Sequence, residues 1–171
     1  MSDKDDKFIA FLEGLVRDNN RAALANLRRG LGKKAWTATE MFPYIAPFLR
    51  SSYPSEENAY FLVASLVGLN PDAKKTDGNL GFSIFQAQAE DKSKGIEKRF
   101  VALLNSDEED LPSHLRLIIS LLKSKEKPIN WLLLLKDIKN WNNEKTNVRR
   151  NWARSFWGNT NVKITEKGED K

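Results

Sequence analysis

Apolar residues recur along this chain with the spacing of one helix face, whereas the alternation typical of strands is rare. The residues that form the first two apolar stripes are Phe8, Leu12, Leu15, Val16, Leu24, Leu27 and Leu31. Similar stripes follow near Tyr60, Phe100 and Leu115, and the pattern continues to the end of a helix near Phe156. The spacing therefore predicts helices along almost the whole chain.

Capping and breaking residues mark where these helices begin and end. The expected boundaries are a stop at Gly30 to Gly32, a cap at Ser55, a stop at Asn70, and starts at Asp110 and Asn130. Residues 38–50 hold Pro43 and Pro47, so only short or broken helix is expected there. Leu80 begins a further short helix.

These segments predict an all-α fold, a compact bundle of about eight to nine helices in two sub-bundles. We expect a single domain over residues 1–158, with an N-terminal half at about 5–90 and a C-terminal half at about 91–158. Residues 159–171 are polar and charged, and we expect a disordered tail.

Composition narrows the class of protein. The chain has no cysteine, and its longest apolar runs are about five residues, far short of the ~20 that cross a bilayer. The first seven residues are acidic and polar, unlike a signal peptide. We therefore expect a cytoplasmic protein with no membrane partner.

The sequence offers little for catalysis. His114 is the one histidine, and no serine lies in a Gly-x-Ser-x-Gly turn. The run from Gly30 to Lys34 lacks the glycine spacing and the hydroxyl of a phosphate-binding loop. The acidic run 107–110 fits the dipole of the next helix better than it fits a metal ion. We expect no enzyme activity, no cofactor and no metal site.

Positive charge is concentrated early in the chain. Lysine and arginine number 28 against 23 acidic residues, a net charge of +5, and residues 21–34 carry five positive charges and no acid. Those five residues are Arg21, Arg28, Arg29, Lys33 and Lys34. Converging cations of this kind bind the phosphates of nucleic acid and release the counterions held there. The simpler interpretation of these five residues is a solvated helix face.

Other basic residues lie on later helices. Arg150 and Arg154 are opposite the apolar side of the last helix, with Arg149 at its flank. Trp157 falls on that basic side, where it either stacks on a base or packs against protein. Three further candidates are Arg116 and Lys123, which share a face, and Arg99 on another helix.

Three functions fit these patterns. The first is backbone binding of nucleic acid through phosphates. The second is a sequence-specific helical DNA-binding regulator, for which the second helix offers arginines and Asn26 to base edges. The third is a protein-interaction module whose basic faces are only solvated.

The order and spacing of several motifs resemble one family over roughly residues 5–157. The motifs are Ala25-Asn-Leu-Arg28-Arg29, Tyr60-Phe-Leu-Val-Ala64, Leu80-Gly81, Glu97-Lys-Arg99-Phe, Leu115-Arg116-Leu, Ile129-Asn-Trp131 and Val148-Arg-Arg-Asn-Trp152. Together they resemble the CasB family, the small subunit of the type I-E CRISPR surveillance complex (Cascade).

The resemblance implies a non-catalytic, all-helical subunit present as two copies, a homodimer within the complex. It implies other Cascade protein subunits, CRISPR guide RNA and target DNA, including the displaced strand, as partners. Contacts would be made to backbone phosphates rather than to bases. By motif, Arg28 and Arg29 match best, followed by Arg99 and Arg116, and then Arg149 and Arg150.

Overall fold

A computed structural model describes residues 3–50 and 52–158 of the chain. These residues form nine α-helices and no strand, which confirms the all-α expectation. The helices are α1 (Asp3–Arg17), α2 (Arg21–Arg28), α3 (Phe42–Ile45), α4 (Pro54–Leu69), α5 (Leu80–Ala89), α6 (Gly95–Leu104), α7 (Leu111–Ser124), α8 (Trp131–Lys139) and α9 (Val148–Trp157). No described helix is both long and apolar enough to span a membrane. The expected tail, residues 159–171, lies outside the described residues.

Asparagine side chains begin four of the helices. The side chains of Asn20, Asn79, Asn130 and Asn147 accept hydrogen bonds from backbone N–H groups in the first turns of α2, α5, α8 and α9. The cap expected at Asn130 is therefore confirmed, with its Oδ1 lying 2.9 Å from the backbone nitrogen of Leu133.

One expected cap differs from the structure. The helix expected to start at Ser55 begins at Pro54, with Tyr53 at the cap position and no side-chain cap bond. Proline is well suited to the first turn because its missing donor is not needed there, so Ser55 lies inside the helix. The helix start expected at Asp110 is confirmed, because Asp110 occupies the cap position of α7, although its side chain makes no capping bond.

The expected short segment around Pro43 and Pro47 is confirmed. It consists of α3 between two 3-10 turns, Thr39–Met41 and Ala46–Phe48.

One hydrophobic core runs through both halves of the chain. α4 is buried along most of its length and packs against α2, α7 and α8. α9 packs on α5, and its apolar stripe Val148, Trp152 and Phe156 is buried as expected. The helices of the C-terminal half therefore complete the core of the N-terminal half.

A buried polar cluster joins α1 to α4 and α8. Asp5 on α1 is only 1% exposed, and it accepts hydrogen bonds from the hydroxyl of Tyr60 and from Lys139 Nζ, at 3.0 and 3.1 Å for the latter. Buried charges are tolerated when they are paired and hydrogen-bonded in this way. The sequence carries a signal for this burial, since Asp5 occupies the same helix face as Phe8 and Leu12.

Candidate nucleic-acid interface

The candidate basic residues of α2 lie at its two ends. Arg21 is the first residue of the helix, Arg28 the last, and Arg29 follows as the C-cap, all with exposed side chains. Arg29 Nη1 donates to Asn26 Oδ1 at 3.3 Å, and this bond orients the Arg29 guanidinium. The buried side of α2, with Ala23 and Leu27, holds the helix on α4.

The loop after α2 carries Lys33 and Lys34, and it is fixed at both ends. Gly32 has φ +75°, a left-handed conformation that glycine adopts without strain. Trp36 closes the loop: its ring centroid lies 4.9 Å from that of Phe61, and its Nε1 donates to Glu57 at 2.7 Å. Both lysines are exposed on a loop whose path is set by these contacts.

The structure brings two residues of α7 to the same region. A Cβ atom on Gly32 would lie 3.5 Å from Arg116 Nη1, so this guanidinium reaches the loop that holds Lys33. Lys123 Nζ donates to the carbonyl of Leu69 at 3.0 Å, at the end of α4. The neighbouring Gly68 packs on the backbone of Arg28.

These contacts connect α2, its loop and α7 into one region, which we call the basic surface. Its members are Arg28, Arg29, Lys33, Lys34, Arg116 and Lys123, together with Arg21, which lies two helical turns before Arg28 on the same side of α2. Sequence spacing relates Arg116 to Lys123 but gives no sign that α7 meets the loop after α2, because that contact depends on tertiary packing.

The ion pairs of the described residues lie outside the basic surface. Among the described residues, the lysines that form ion pairs are Lys4, Lys7, Lys75, Lys125, Lys127 and Lys139. None of the seven basic-surface residues forms an ion pair with another described residue. No described carboxylate therefore lies within ion-pair distance of their charged groups.

Arg99, Arg150 and Arg154 are exposed on α6 and α9. The two helices meet through Phe100 and Phe156, whose ring centroids are 4.7 Å apart. These arginines lie on helices other than those that carry the basic surface, and their role on nucleic acid stays a prediction.

Trp157 is half-buried, and its ring centroid lies 5.3 Å from that of Phe100. This contact favours the packing interpretation over base stacking.

Arg149 differs from the other candidates. Its Nε, Nη1 and Nη2 donate to the carbonyls of Leu104, Trp141 and Ser106, each at 3.0 Å. The guanidinium also lies 4.4 Å from the Trp141 ring centroid. Two of these carbonyls lie at or just after the C-terminal end of α6 and the third follows α8, so Arg149 supports the fold, and its role on nucleic acid stays a prediction.

Acid–base and metal chemistry find little support in the described residues. Among them, no group of three or more His, Cys, Asp or Glu side chains is placed to hold a metal ion. Asp137 has a raised pKa of about 6, because burial disfavours its charge and the hydrogen bond from Trp152 Nε1, at 2.7 Å, only partly offsets that effect. This carboxyl lies under α9 rather than in an open site.

Comparison with known proteins relates this chain to a family. The sequence model described as CRISPR-associated protein Cse2 matches residues 23–157. The CRISPR-associated protein Cse2 of Thermus thermophilus is 33% identical over 153 residues, which cover 77% of this chain and 86% of that protein.

Solved structures share the fold. The crystal structure of M. ruber CasB superposes with a TM-score of 0.76 at 31% identity, over 92% of this chain and 94% of that one. A chain from a structure described as a CRISPR RNA-guided surveillance complex gives a TM-score of 0.78 at 24% identity, over 91% and 92% of the two chains. The resemblance to CasB drawn from the motifs is confirmed, and the chain belongs to the CRISPR-associated Cse2 family.

Proposed function

We propose that this chain is a non-catalytic small subunit of an RNA-guided CRISPR surveillance complex, and that it binds the backbones of guide RNA and target DNA through the basic surface. Its partners would be the other Cascade protein subunits, the CRISPR guide RNA and the target DNA. A second copy of the chain would lie beside it in the complex, in the cytoplasm.

The observation that carries this proposal is the convergence of unpaired cations from separate helices. Arg28 and Arg29 at the end of α2, Lys33 and Lys34 on the following loop, and Arg116 on α7 face no carboxylate partner among the described residues. Such a surface neutralises successive phosphates without regard to sequence. It would steady a displaced single strand by charge alone.

Family membership supports the assembly part of the proposal. The chain matches the Cse2 model over residues 23–157, and a structural relative of the same fold comes from a CRISPR RNA-guided surveillance complex.

The regulator hypothesis is less well supported by the geometry. Asn26, the residue that α2 could offer to a base edge, donates to the Tyr44 hydroxyl at 3.4 Å and accepts from Arg29. An amide engaged on both sides within the protein is poorly placed to read an adenine.

A tagged copy of the chain, purified gently from its host, tests the assembly. We expect short repeat-derived guide RNA and several larger protein subunits to copurify with it. Recovery of the chain alone, or with unrelated DNA of one preferred sequence, would contradict the proposal and favour the regulator hypothesis.

A further inference from the structure

A groove of about 1020 Å³ lies between the loop 30–35 and α7, with α4 as its floor. It follows α4 from Ser55 to Ser65, ten residues or about 15 Å of helix. That length corresponds to about three turns of a helix laid alongside.

Apolar side chains line much of the groove. Leu31, Phe61 and Leu62 line it, and Leu117 stands at its side with 59% of its surface exposed. A leucine left in water beside an apolar groove is typical of a surface that a partner covers.

The groove contains no free buried polar group that would recognise a base. The Ser65 hydroxyl, which lies in the floor, already donates to the Leu62 carbonyl at 2.7 Å. The buried side-chain polar atoms without a partner in the described residues belong to Asn70, Gln86 and Gln88, none of which lines the groove. Apolar side chains therefore fit this floor better than a nucleobase does.

The charges at the groove are divided between its two ends. Lys33, Lys34 and Arg116 lie where the loop meets α7. Glu108 and Glu109 lie before the start of α7, more than one helical turn from Arg116. Because the cations belong to the basic surface, the acidic end is the one left for a protein partner, and it favours an occupant with a basic residue near Glu108 and Glu109.

We propose that the groove receives an amphipathic helix of about three turns from another protein subunit of the complex. Its apolar side chains would cover Leu117 and the floor, and a basic side chain would face Glu108 and Glu109, so that Lys33, Lys34 and Arg116 keep their exposed side chains for phosphates. This inference rests on the proposed membership of the chain in a multisubunit complex, but not on phosphate binding by Arg28 and Arg29.

The test uses the surveillance complex purified from cells that lack this chain, with the full-length chain added back. Leu117→Gln removes the apolar contact without changing charge, and we expect it to weaken association about tenfold. Val101→Gln is the matched control, because Val101 is also an exposed apolar residue on a helix, at 39%, but lies on α6 away from the groove. We expect that variant to bind with an affinity within about twofold of the wild type.

A photoreactive benzophenone amino acid in place of Leu117 identifies the occupant in the reassembled complex. We expect a cross-link to a peptide of another protein subunit with apolar residues at helical spacing and a basic residue at one end. Cross-links only to RNA or DNA, only to a second copy of this chain, or to nothing would overturn the inference.

The two proposals fail in distinguishable ways. If the wild-type chain does not associate with the complex at all, the proposed function fails. If the wild-type chain associates and Leu117→Gln associates equally well, only the groove inference fails.

Discussion

Arg149 and Arg150 are neighbours on α9 with different surroundings. Arg149 donates to three carbonyls and lies against the Trp141 ring, whereas Arg150 is exposed and pairs with no described carboxylate. Sequence alone does not separate the two residues, since adjacent arginines on a polar face look alike. The difference comes from the loop after α8, where the Trp141 carbonyl and ring meet Arg149.

Arg149→Lys should destabilise the protein by about 2–3 kcal/mol, because one ammonium cannot replace the planar fork that bonds three carbonyls. Arg150→Lys should change the free energy of unfolding by less than about 0.5 kcal/mol. Urea unfolding of both variants measures the difference. Equal stability of the two would contradict the role assigned to Arg149.

Asp137 gives the protein a stability that depends on pH. Its pKa is raised from 3.8 to about 6 in the folded state, so the folded protein holds this proton more tightly than the unfolded chain does. The protein is therefore most stable, with respect to this group, below about pH 4, where the carboxyl is neutral in both states. That stability is lost as the pH rises through about 6 and the buried carboxyl ionises. At neutral pH both states are ionised, and burial of the charge costs the fold about 3 kcal/mol at most.

Asp137→Asn keeps an acceptor for Trp152 Nε1 and removes the buried charge. We expect the variant to be more stable than the wild type at about pH 7, with the advantage shrinking between about pH 6 and pH 4. Thermal unfolding across that range checks the trend. An advantage independent of pH would show that ionisation of Asp137 is not its cause.

At the scale of helices, local rules predict some boundaries and miss others. The cap at Asn130 and the break around Pro43 follow from side-chain chemistry within a few residues, and the structure has both. The start of α4 differs from the expected one because Pro54 fits the first turn and shifts the helix start ahead of Ser55. Which helices pack together depends on contacts between distant parts of the chain. The spacing of apolar residues within one helix does not reveal those contacts.

Two helices pack closely because one of them carries a glycine at the contact. Gly81 of α5 lies against the backbone of Trp152 in α9, where an added Cβ would be 2.2 Å from the Trp152 carbonyl oxygen. This approach lets α9 bury its tryptophan against the rest of the core.

Gly81→Ala should separate α5 from α9 and destabilise the protein by about 1–3 kcal/mol. Gly14→Ala is the matched control within α1, where the new Cβ meets only the flexible end of Arg17 at 3.4 Å. That change should be neutral or stabilise by about 0.5–1 kcal/mol, as expected for alanine in a helix interior. Denaturant titration distinguishes them, and a Gly81 variant as stable as the Gly14 variant would refute the close-packing argument.

At the scale of the whole molecule, the pair of Asp5 and Lys139 ties α1 to α8. Lys139→Met removes the cation and leaves a buried carboxylate with weaker compensation, so we expect a loss of about 3–5 kcal/mol. Lys136→Met, at an exposed position on the same helix, should cost less than about 0.5 kcal/mol. Comparable losses for the two in thermal unfolding would mean that the pair does not hold the halves together.

The grouping of the basic residues is likewise predictable from local sequence only in part. Arg28, Arg29, Lys33 and Lys34 are close in sequence, so their grouping needs only helix geometry. Arg116 joins them only in three dimensions, through its approach to Gly32. The role of each cation on nucleic acid stays a prediction.

The salt dependence of target binding tests the central claim most directly. Complexes reassembled with wild-type chain, Arg28→Gln/Arg29→Gln, or the exposed control pair Lys92→Gln/Lys94→Gln would be titrated with target DNA at several salt concentrations. If Arg28 and Arg29 bind phosphates, the slope of log K against log salt should flatten by roughly 0.7–0.9 for each phosphate that is no longer neutralised, and the control pair should leave it unchanged. An unchanged slope for the arginine pair, in a complex that still contains the subunit, would contradict phosphate binding by the basic surface.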